Sequence, residues 1–195
     1  MKLINIGFGS LIAAERLISV LSPDSAPIKR MIQDTRERGL LVDALAELLA
    51  PHARSIVCID SSERVVHAAR ARLKTFDNVE VEAGDMHALN LGARRFDLVL
   101  SMHALTYSDA PAQAIAEAAR VLKPGGRLLV TTLARHAHRT AVAPFDHRNL
   151  GFKDAELREF ARKAGLAVLS CTRLTRERRP PHFEVLSLLA RKANT

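Results

Sequence analysis

The chain has 195 residues, a hydrophobic fraction of 48% and a formal net charge of +8. That length fits one ordinary domain with room for a short extra segment, and the composition excludes a mainly disordered chain. No run of about 18 uncharged apolar residues occurs, which argues against a membrane span. Glu15 and Arg16 interrupt the apolar stretch near Met1, so we expect a cytoplasmic protein without a secretory signal.

The N-terminal part of the sequence predicts a small α+β segment. Residues 3–6 form a short apolar strand pattern, and residues 11–21 have the apolar periodicity of a helix. Pro23 and Pro27 break this pattern, and residues 28–38 then predict a basic amphipathic helix that ends at Gly39.

The rest of the chain alternates between predicted strands and predicted helices. Strand patterns occupy residues 40–43, 55–60, 79–83, 96–101, 127–132, 166–170 and 182–190. Helical patterns occupy residues 44–49, 62–74, 111–122 and 154–164. This alternation predicts a mostly parallel sheet covered on both faces, a Rossmann-like α/β fold. In such sheets ligands bind beyond the carboxyl ends of the strands.

Two acidic residues follow predicted strands. Asp60 ends a buried strand, where a carboxylate can accept hydrogen bonds from ribose hydroxyls; the alternative is a cap for the next helix. Asp85 follows the next strand and could face an exocyclic amine, with Met86 over an adenine ring; the alternative is an ordinary turn aspartate after Gly84. The residues alone leave both alternatives open.

The end of the strand at 96–101 supplies the weak catalytic candidate. Ser101 closes the strand, and His103 follows in a loop that would lie over a reacting centre. A histidine there could orient a substrate, although a lone loop histidine is more often exposed and inert. Residues 131–152 would line the acceptor side, with His136, His138, His147 and Arg148. No histidine pair with a carboxylate at helical spacing supports a metal site, so none is predicted.

Four sequence strings, in this order, resemble the class I S-adenosylmethionine-dependent methyltransferases. They are VCIDSSERVVHAARARL, NVEVEAGDMHAL, FDLVLSMHALTY and EAARVLKPGGRLLV. The C-terminal residues resemble methyltransferase domains that are fused to ArsR-type regulators, and the resemblance covers about residues 44–193. It implies a Rossmann-like methyltransferase sheet and a site for S-adenosylmethionine or S-adenosylhomocysteine. Asp60 would bind the ribose, and Asp85 and Met86 the adenine. Ser61 and Ser101 are the further cofactor-binding candidates.

The sequence departs from this family at the glycine-rich loop that should follow the first strand. Asp43 passes directly into the helical pattern at Ala44, without the glycines that let the cofactor approach the backbone. Gly7-Phe8-Gly9 is a poor substitute, because it lacks a third glycine and lies over fifty residues before Asp60. We therefore expect a fold that is incomplete at the first strand-loop, impaired binding of the methionine end and uncertain enzymatic activity.

The first residues carry a second resemblance, to the RemA-like family of small bacterial DNA-binding regulators. It rests on residues 1–44, MKLINIGFGSLIAAERLISVLSPDSAPIKRMIQDTRERGLLVDA. The sequence therefore predicts a partial RemA-like segment over 1–43 and a methyltransferase-like domain over 44–195. Natural fusion, engineering and an assembly error are all compatible with this join, and a marginally folded product is a further reading.

Two functions follow from these resemblances. The first is a small-molecule methyltransferase whose acceptor the sequence does not identify. The second is a DNA-binding regulator whose methyltransferase-like part senses a ligand or is inert. The resemblance to the RemA-like family, whose members assemble into rings, also implies that the chain could form oligomers. Its DNA contacts would come from basic segments, including Lys29, Arg30, Arg36 and Arg38. A solvated helix face with Asp34 and Glu37 as ion-pair partners is the favoured explanation of these charges.

Overall fold

A seven-stranded sheet forms the centre of the molecule, seen in a computed structural model. The structure describes residues 3–5, 11–13, 16–21, 46–47, 49–145, 147–178 and 180–194. The strands are β1 (Leu3–Asn5), β2 (Leu11–Ala13), β3 (Arg16–Leu21), β4 (Ser55–Asp60), β5 (Val79–Ala83), β6 (Phe96–Met102), β7 (Leu122–Leu133), β8 (Leu166–Arg176) and β9 (Glu184–Lys192). The longer helices are α1 (Glu63–Leu73), α2 (Pro111–Val121) and α3 (Asp154–Lys163).

Residues 46, 47 and 49 are helical, within the predicted helix at 44–49, and four short helical turns complete the described secondary structure. They are Ala50–His52, Ala104–Tyr107, Arg139–Val142 and Ala143–Phe145. The second of these turns follows β6 directly, and the last two follow β7. All three therefore lie on the side of the sheet where β6 and β7 end.

The strand order in the large sheet is β5-β4-β3-β6-β7-β9-β8. Strands β3 to β7 pair in parallel, and β9 pairs antiparallel with both β7 and β8. Strands β1 and β2 form a separate antiparallel pair. The predicted Rossmann-like α/β fold, mostly parallel, is thus confirmed. The order reverses direction at β3, so the ligand crevice of this fold opens between β3 and β6.

Helices cover both faces of the sheet. Strand β4 is therefore buried on both faces, which explains its continuous run of apolar residues. Ile56 and Cys58 pack into a core shared with α1, whereas Val57 and Ile59 pack into the core shared with α2 and α3. A strand buried on both faces needs apolar side chains at successive positions, because they alternate between the faces. Burial of these side chains is the main stabilising term of the fold.

The first helix begins where its sequence supplies a cap. The hydroxyl of Ser62 accepts a hydrogen bond from the amide of Val65 at 3.5 Å, and Glu63 stands in the first turn, where its charge suits the helix dipole. Val66, Ala69 and Leu73 face the core at helical spacing. Ser62 therefore fixes the start of α1, and Asp60 remains outside the helix.

The prediction of a helix over residues 11–21 is wrong. The structure has strand β2 over Leu11–Ala13 and strand β3 over Arg16–Leu21. Short apolar runs fit both periods, and here the β-branched Ile18 and Val20 together with parallel partners on both sides favour the strand. The prediction of a strand near the N-terminus is confirmed by β1.

Strand β3 occupies the central position that we expected residues 40–43 to take. Ile18 pairs with Val57 of β4 on one side and with Val99 of β6 on the other. Residues 40–43 and the predicted helix at 28–38 lie outside the described residues. The division into 1–43 and 44–195 stays a prediction, although β3 contributes to the same sheet as β4 and β6.

Strand β8 is longer than the sequence predicted, and β9 is shifted by two residues toward the C-terminus. Strand β8 continues to Arg176, because its pairing with β9 extends from Leu166 to Arg176. Cys58 and Cys171 are buried free thiols. Within the described ranges, no helix is both long enough and apolar enough to span a membrane.

Candidate functional site

Asp60 lies at the carboxyl end of β4 and is only 6% exposed. Its Oδ1 accepts a hydrogen bond from the backbone amide of Ser62 at 2.8 Å, which directs the carboxylate along the turn after the strand. Its backbone oxygen accepts from the amide of Gly84 at 3.0 Å, so the ends of β4 and β5 are tied together. Because Ser62 is the N-cap of α1, the alternative role of Asp60 as the helix cap does not apply.

Asp85 follows β5, and its side chain is 62% exposed. Oδ1 accepts hydrogen bonds from the backbone amide of His87 at 2.8 Å and from the His87 ring at 2.6 Å. The hydrogen bond from the backbone amide of His87 is the main reason that the pKa of Asp85 lies below its ordinary value. The ring of His87 lowers this pKa further, whereas partial burial of the carboxyl raises it. The group is therefore an ionised carboxylate near neutral pH, held in a turn as the alternative reading expected.

Met86 and Ser101 are brought together by the fold. Both line a small, mainly apolar cavity between the sheet and α2, whose other walls include Leu89, Leu105 and Ile115. Ser101 is 8% exposed and stands beside Val20 of β3, which in turn pairs with Ile59. Ile59, Val20 and Ser101 therefore lie side by side across three neighbouring strands, and Asp60 is the next residue after Ile59. Ser61 is exposed in the turn after β4.

In Rossmann-like sheets the loop that approaches the cofactor follows the strand at which the order reverses, and here that strand is β3, which is followed in the sequence by residues 22–39. These residues contain no glycine between Leu21 and Gly39. This segment, like the Asp43–Ala44 junction where the sequence predicted the missing loop, lies outside the described residues. The lack of glycine after Leu21 and at the Asp43–Ala44 junction is therefore known from the sequence alone.

His103 is buried, contrary to the reading of it as an exposed loop residue. Only 8% of the residue is exposed, and burial lowers the pKa of His103 to about 4, with a smaller contribution from His147. Its backbone has φ 57° and ψ 8°, the left-handed region that a non-glycine residue enters at a cost. Its amide donates to Thr131 O at 2.7 Å, and its carbonyl oxygen accepts from Thr106 Oγ1 at 2.6 Å.

A second group of rings lies beyond the ends of β6 and β7. His147 packs edge-on against Tyr107 with ring centroids 5.1 Å apart, and His136 packs against Phe183 at 4.6 Å. Burial lowers the pKa of His136 to about 4, with His138, His147 and Arg135 as lesser causes. His136 is therefore a neutral hydrogen-bonding group at pH 7.

Sequence reasoning missed His87 and Ser108. His87 Nε2 lies 2.6 Å from Ser108 Oγ, so the ring bridges Asp85 to the loop after β6. The Asp-x-His spacing is visible in the sequence and is a usable signal, because an Asx turn brings the two side chains together. Ser108 is 21 residues from His87 in the chain, and no local pattern indicates their contact.

Metal ligation finds no support in the part of the chain that the structure describes. Those residues contain no group of three or more histidine, cysteine, aspartate or glutamate side chains that could hold a metal ion. The rings of His136 and His138 stack with centroids 5.8 Å apart. They do not converge on a common point with a carboxylate, as a zinc site would require.

Comparison with known proteins gives two independent likenesses. Residues 37–130 match the family described as a methyltransferase domain. The solved N-methyltransferase NodS from Bradyrhizobium japonicum, in complex with S-adenosylhomocysteine, superposes with a TM-score of 0.66 over 92% of this chain and 79% of that chain. The two sequences are 20% identical, so this likeness concerns the fold.

The second likeness is to bacterial regulatory proteins. A relative from Acetivibrio thermocellus, whose name is that of a regulatory protein, is 44% identical over 90 residues, which cover 94% of it and 44% of this chain. The extracellular matrix regulatory protein A of Bacillus subtilis is 51% identical over 70 residues, covering 75% of it and 36% of this chain. The chain therefore belongs to the family of these regulatory proteins, and it carries in the same polypeptide a methyltransferase domain with the class I fold.

Proposed function

We propose that the chain binds S-adenosylmethionine or S-adenosylhomocysteine at the carboxyl ends of β4, β5 and β6, and that it is a small-molecule methyltransferase. The observation that carries this proposal is the buried carboxylate of Asp60 beside the point where the strand order reverses. A carboxylate at this place in a Rossmann-like sheet can accept hydrogen bonds from two ribose hydroxyls.

The adenine side of the proposed site also fits. Met86 is partly buried beside the same apolar wall as Ser101, and its side chain can pack on the face of an aromatic base. Asp85 stands next to Met86 with an ionised carboxylate, which can accept a hydrogen bond from an exocyclic amine. These residues would hold the nucleoside part of the cofactor.

The proposed chemistry asks little of the protein in acid–base catalysis. S-adenosylmethionine supplies a methyl group that its sulfonium centre already activates. The protein has to align the acceptor and exclude water, and a buried apolar wall such as Leu105 and Ile115 contributes to the second task. The absence of glycine between Leu21 and Gly39 leads us to propose weak retention of the methionine end.

Isothermal titration of the full chain with both cofactors tests the proposal. We expect S-adenosylhomocysteine to bind with micromolar affinity and Asp60→Asn to weaken it by about tenfold or more, because a hydrogen bond to a charged group is lost. Asp77→Asn, which alters an exposed aspartate in the turn before β5, serves as the matched control. No heat at high micromolar ligand, or unchanged affinity of the Asp60 variant, would refute the proposal.

A second candidate function is supported by the identity to the regulatory relatives. We propose that the part of the chain that matches these relatives is RemA-like and that the chain contacts DNA. Arg173, Arg176 and Arg178 add exposed positive charge on and after β8, and Arg173 is paired with Glu184 at 3.2 Å. Such contacts weaken steeply with salt.

A gel-shift assay at low and at moderate salt separates this second function from the first. We expect retardation of duplex DNA at low salt and a loss of affinity as salt rises. Replacing Arg176 and Arg178 with Gln should weaken the shift, and replacing the exposed Arg64 of α1 with Gln should not. Absence of retardation at both salt concentrations contradicts the DNA-binding role.

A further inference from the structure

The edge of the sheet opposite the proposed cofactor site is rich in cationic side chains. Strands β6 and β7 begin at this edge, and β9 ends there because it runs antiparallel to β7. Asp97, Glu117 and Glu159 form ion pairs with some of these cations. We call the surface the basic edge, and its nine members are Arg94, Arg95, Arg120, Lys123, Arg127, Arg162, Lys163, Arg191 and Lys192.

Contacts between neighbouring elements join the basic edge into one surface. The amide of Arg94 donates to the carbonyl oxygen of Arg120 at 3.1 Å, and Nζ of Lys192 donates to the same oxygen at 3.4 Å. Arg127 and Arg191 are opposite residues on β7 and β9, an arrangement that is unfavourable for like charges. Because β6, β7, β9 and β8 are neighbours, the surface is about 14 Å wide at the usual strand spacing.

Part of this positive charge is available to a partner. Among the side chains that the structure describes, Arg94, Arg95 and Arg191 are exposed and form no ion pair with a carboxylate. Burial lowers the pKa of Lys192, and the nearby Arg94 and Arg120 lower it further. An anion bound here would therefore relieve repulsion between cations that the fold brings together.

Charges outside the described residues do not cancel this excess. Those residues carry six basic and six acidic side chains, so the net charge of +8 belongs to the described part of the chain. Glu15 directly precedes β3, and Thr195 directly follows Asn194. Even with Glu15 and a terminal carboxylate at Thr195 counted here, the nine cations would outnumber these two groups and the three paired carboxylates.

The basic edge is remote from both surfaces used in the proposed functions. Strand β6 has seven residues and separates it from the carboxyl edge, where Asp60 lies, by about 20 Å. Strand β8 runs parallel to β7, since both pair antiparallel with β9, so Arg176 also lies toward the carboxyl edge. A partner on the basic edge would leave the proposed cofactor site open.

The chemistry of the surface indicates which partner fits. Seven of its nine cations are arginines, whose planar guanidinium groups can bind phosphate through two hydrogen bonds. Within the described ranges no phenylalanine or tyrosine is exposed, so the surface offers no ring on which single-stranded bases could stack. Leu169 is the exposed large apolar side chain of the described residues, whereas binding in a membrane interface needs a continuous apolar face.

We propose that the basic edge binds the phosphate backbone of a nucleic-acid duplex. A duplex strand carries one phosphate per about 3.4 Å of helix axis, so a surface about 14 Å wide can face about four phosphates. Contacts of this kind hold a duplex without reading its sequence. The inference rests on neither the proposed cofactor site nor the likeness to the regulatory proteins.

Fluorescence anisotropy of the full chain with labelled probes tests the proposal. The probes are duplex DNA and duplex RNA of about 20 base pairs, one single strand of the same sequence, and vesicles of phosphatidylglycerol and phosphatidylcholine. We expect duplex binding whose logarithmic salt slope lies between about −2 and −4. A preference for either duplex supports the proposal and identifies the nucleic acid. Binding of the single strand or of vesicles without binding of a duplex, or no binding at all, overturns it.

A triple variant locates the duplex on the basic edge. Arg94→Gln, Arg95→Gln and Arg191→Gln together should weaken duplex binding by about tenfold or more at low salt and reduce the salt slope by about two to three. Lysine at the same three positions should retain the slope, because the charges remain. An unchanged affinity of the glutamine variant would contradict the assignment.

The matched control removes the same number of charges at the carboxyl edge. Arg64→Gln, Arg139→Gln and Arg148→Gln change three exposed arginines, and together they should weaken the duplex by less than about threefold. Equal losses in the two glutamine variants would mean that net charge alone determines binding, and the proposed surface would be refuted.

Two further comparisons separate this inference from the proposed functions. Saturating S-adenosylhomocysteine should leave duplex affinity unchanged, and displacement of the duplex would place it at the carboxyl edge and overturn the inference. If the duplex binds and S-adenosylhomocysteine does not, the proposed methyltransferase function fails and the basic edge stands. If Arg176→Gln with Arg178→Gln abolishes binding and the variant at the basic edge binds normally, the inference fails and the second candidate function stands.

Discussion

Nδ1 of His87 lies 2.6 Å from Oδ1 of Asp85. An ionised carboxylate only accepts hydrogen bonds, so Nδ1 carries a proton, and Nε2 forms the hydrogen bond of 2.6 Å with the hydroxyl of Ser108. Ser108 Oγ in turn accepts from the amide of Ala110 at 3.1 Å. The turn that bears Asp85 is thereby fixed to the loop after β6.

The first prediction follows from this bridge. His87→Ala removes the ring that orients Asp85, and the affinity for S-adenosylhomocysteine should fall by about three- to tenfold, as expected when one or two hydrogen bonds no longer fix a contact residue. Isothermal titration measures the change, with His67→Ala on the exposed face of α1 as the control. If His87→Ala and wild type bind equally, Asp85 does not depend on His87 for its contact.

The second prediction concerns the pH dependence of stability near His103. Its folded pKa of about 4 lies below the ordinary value of 6.5, so between these pH values the unfolded chain binds the proton and the folded chain does not. The free energy of unfolding should therefore fall as pH drops from 6.5 to 4, by on the order of 3 kcal/mol from this group.

Replacement of His103 with Asn isolates that contribution, because Asn tolerates the left-handed backbone and does not titrate. Urea unfolding at pH 4, 5, 6 and 7 should show a shallower pH dependence in His103→Asn than in wild type. Some dependence should remain, since burial also lowers the pKa of His136. A slope identical to wild type, with the exposed His67→Asn variant as reference, would contradict a buried neutral His103.

The fold was predictable from the sequence wherever local patterns and packing agree. In β4, the run of apolar side chains follows from burial on both faces, and Ser62 supplies a recognisable helix start. The helical pattern at residues 11–21 misled the prediction because β3 is decided by its two parallel partners, which are distant in the chain. Residues paired across such distances leave no local signal.

The candidate site divides in the same way. Asp60, Asp85 and Ser101 were identified because each follows an obvious strand, and the topology places their elements side by side. The burial of His103 was not predictable, because it depends on the segment around His147 folding back over the turn after β6. Ser108 was missed because its role comes from a contact with His87 across 21 residues.

The third prediction addresses the glycine deficit after β3. If the chain retains the nucleoside but holds the methionine end weakly, S-adenosylhomocysteine and methylthioadenosine should bind with affinities within about threefold of each other, since the extra atoms make few favourable contacts. Competition titration against the full chain measures both affinities. A preference for S-adenosylhomocysteine of about a hundredfold would contradict weak retention of the methionine end.

The fourth prediction compares two glycines that share a left-handed backbone. Gly151 has φ +77°, and a Cβ there would lie 2.6 Å from the carbonyl oxygen of Leu133 and closer still to that of Ala134. Gly165 has φ +75° and no heavy atom within 4 Å of an added Cβ. Both substitutions strain the backbone, but only that at Gly151 also forces the chain away from β7.

Gly151→Ala should therefore lower the free energy of unfolding by about 3 kcal/mol or more, and Gly165→Ala by about 1 kcal/mol. Urea unfolding of both variants measures the difference, and equal losses would show that the contact with Ala134 is relieved at little cost. Gly151 lies between Leu150 and Phe152, whose amide donates to Leu133 O at 2.9 Å. The loss at Gly151 should therefore be the larger one, because displacing this residue also disturbs the hydrogen bond that joins Phe152 to β7.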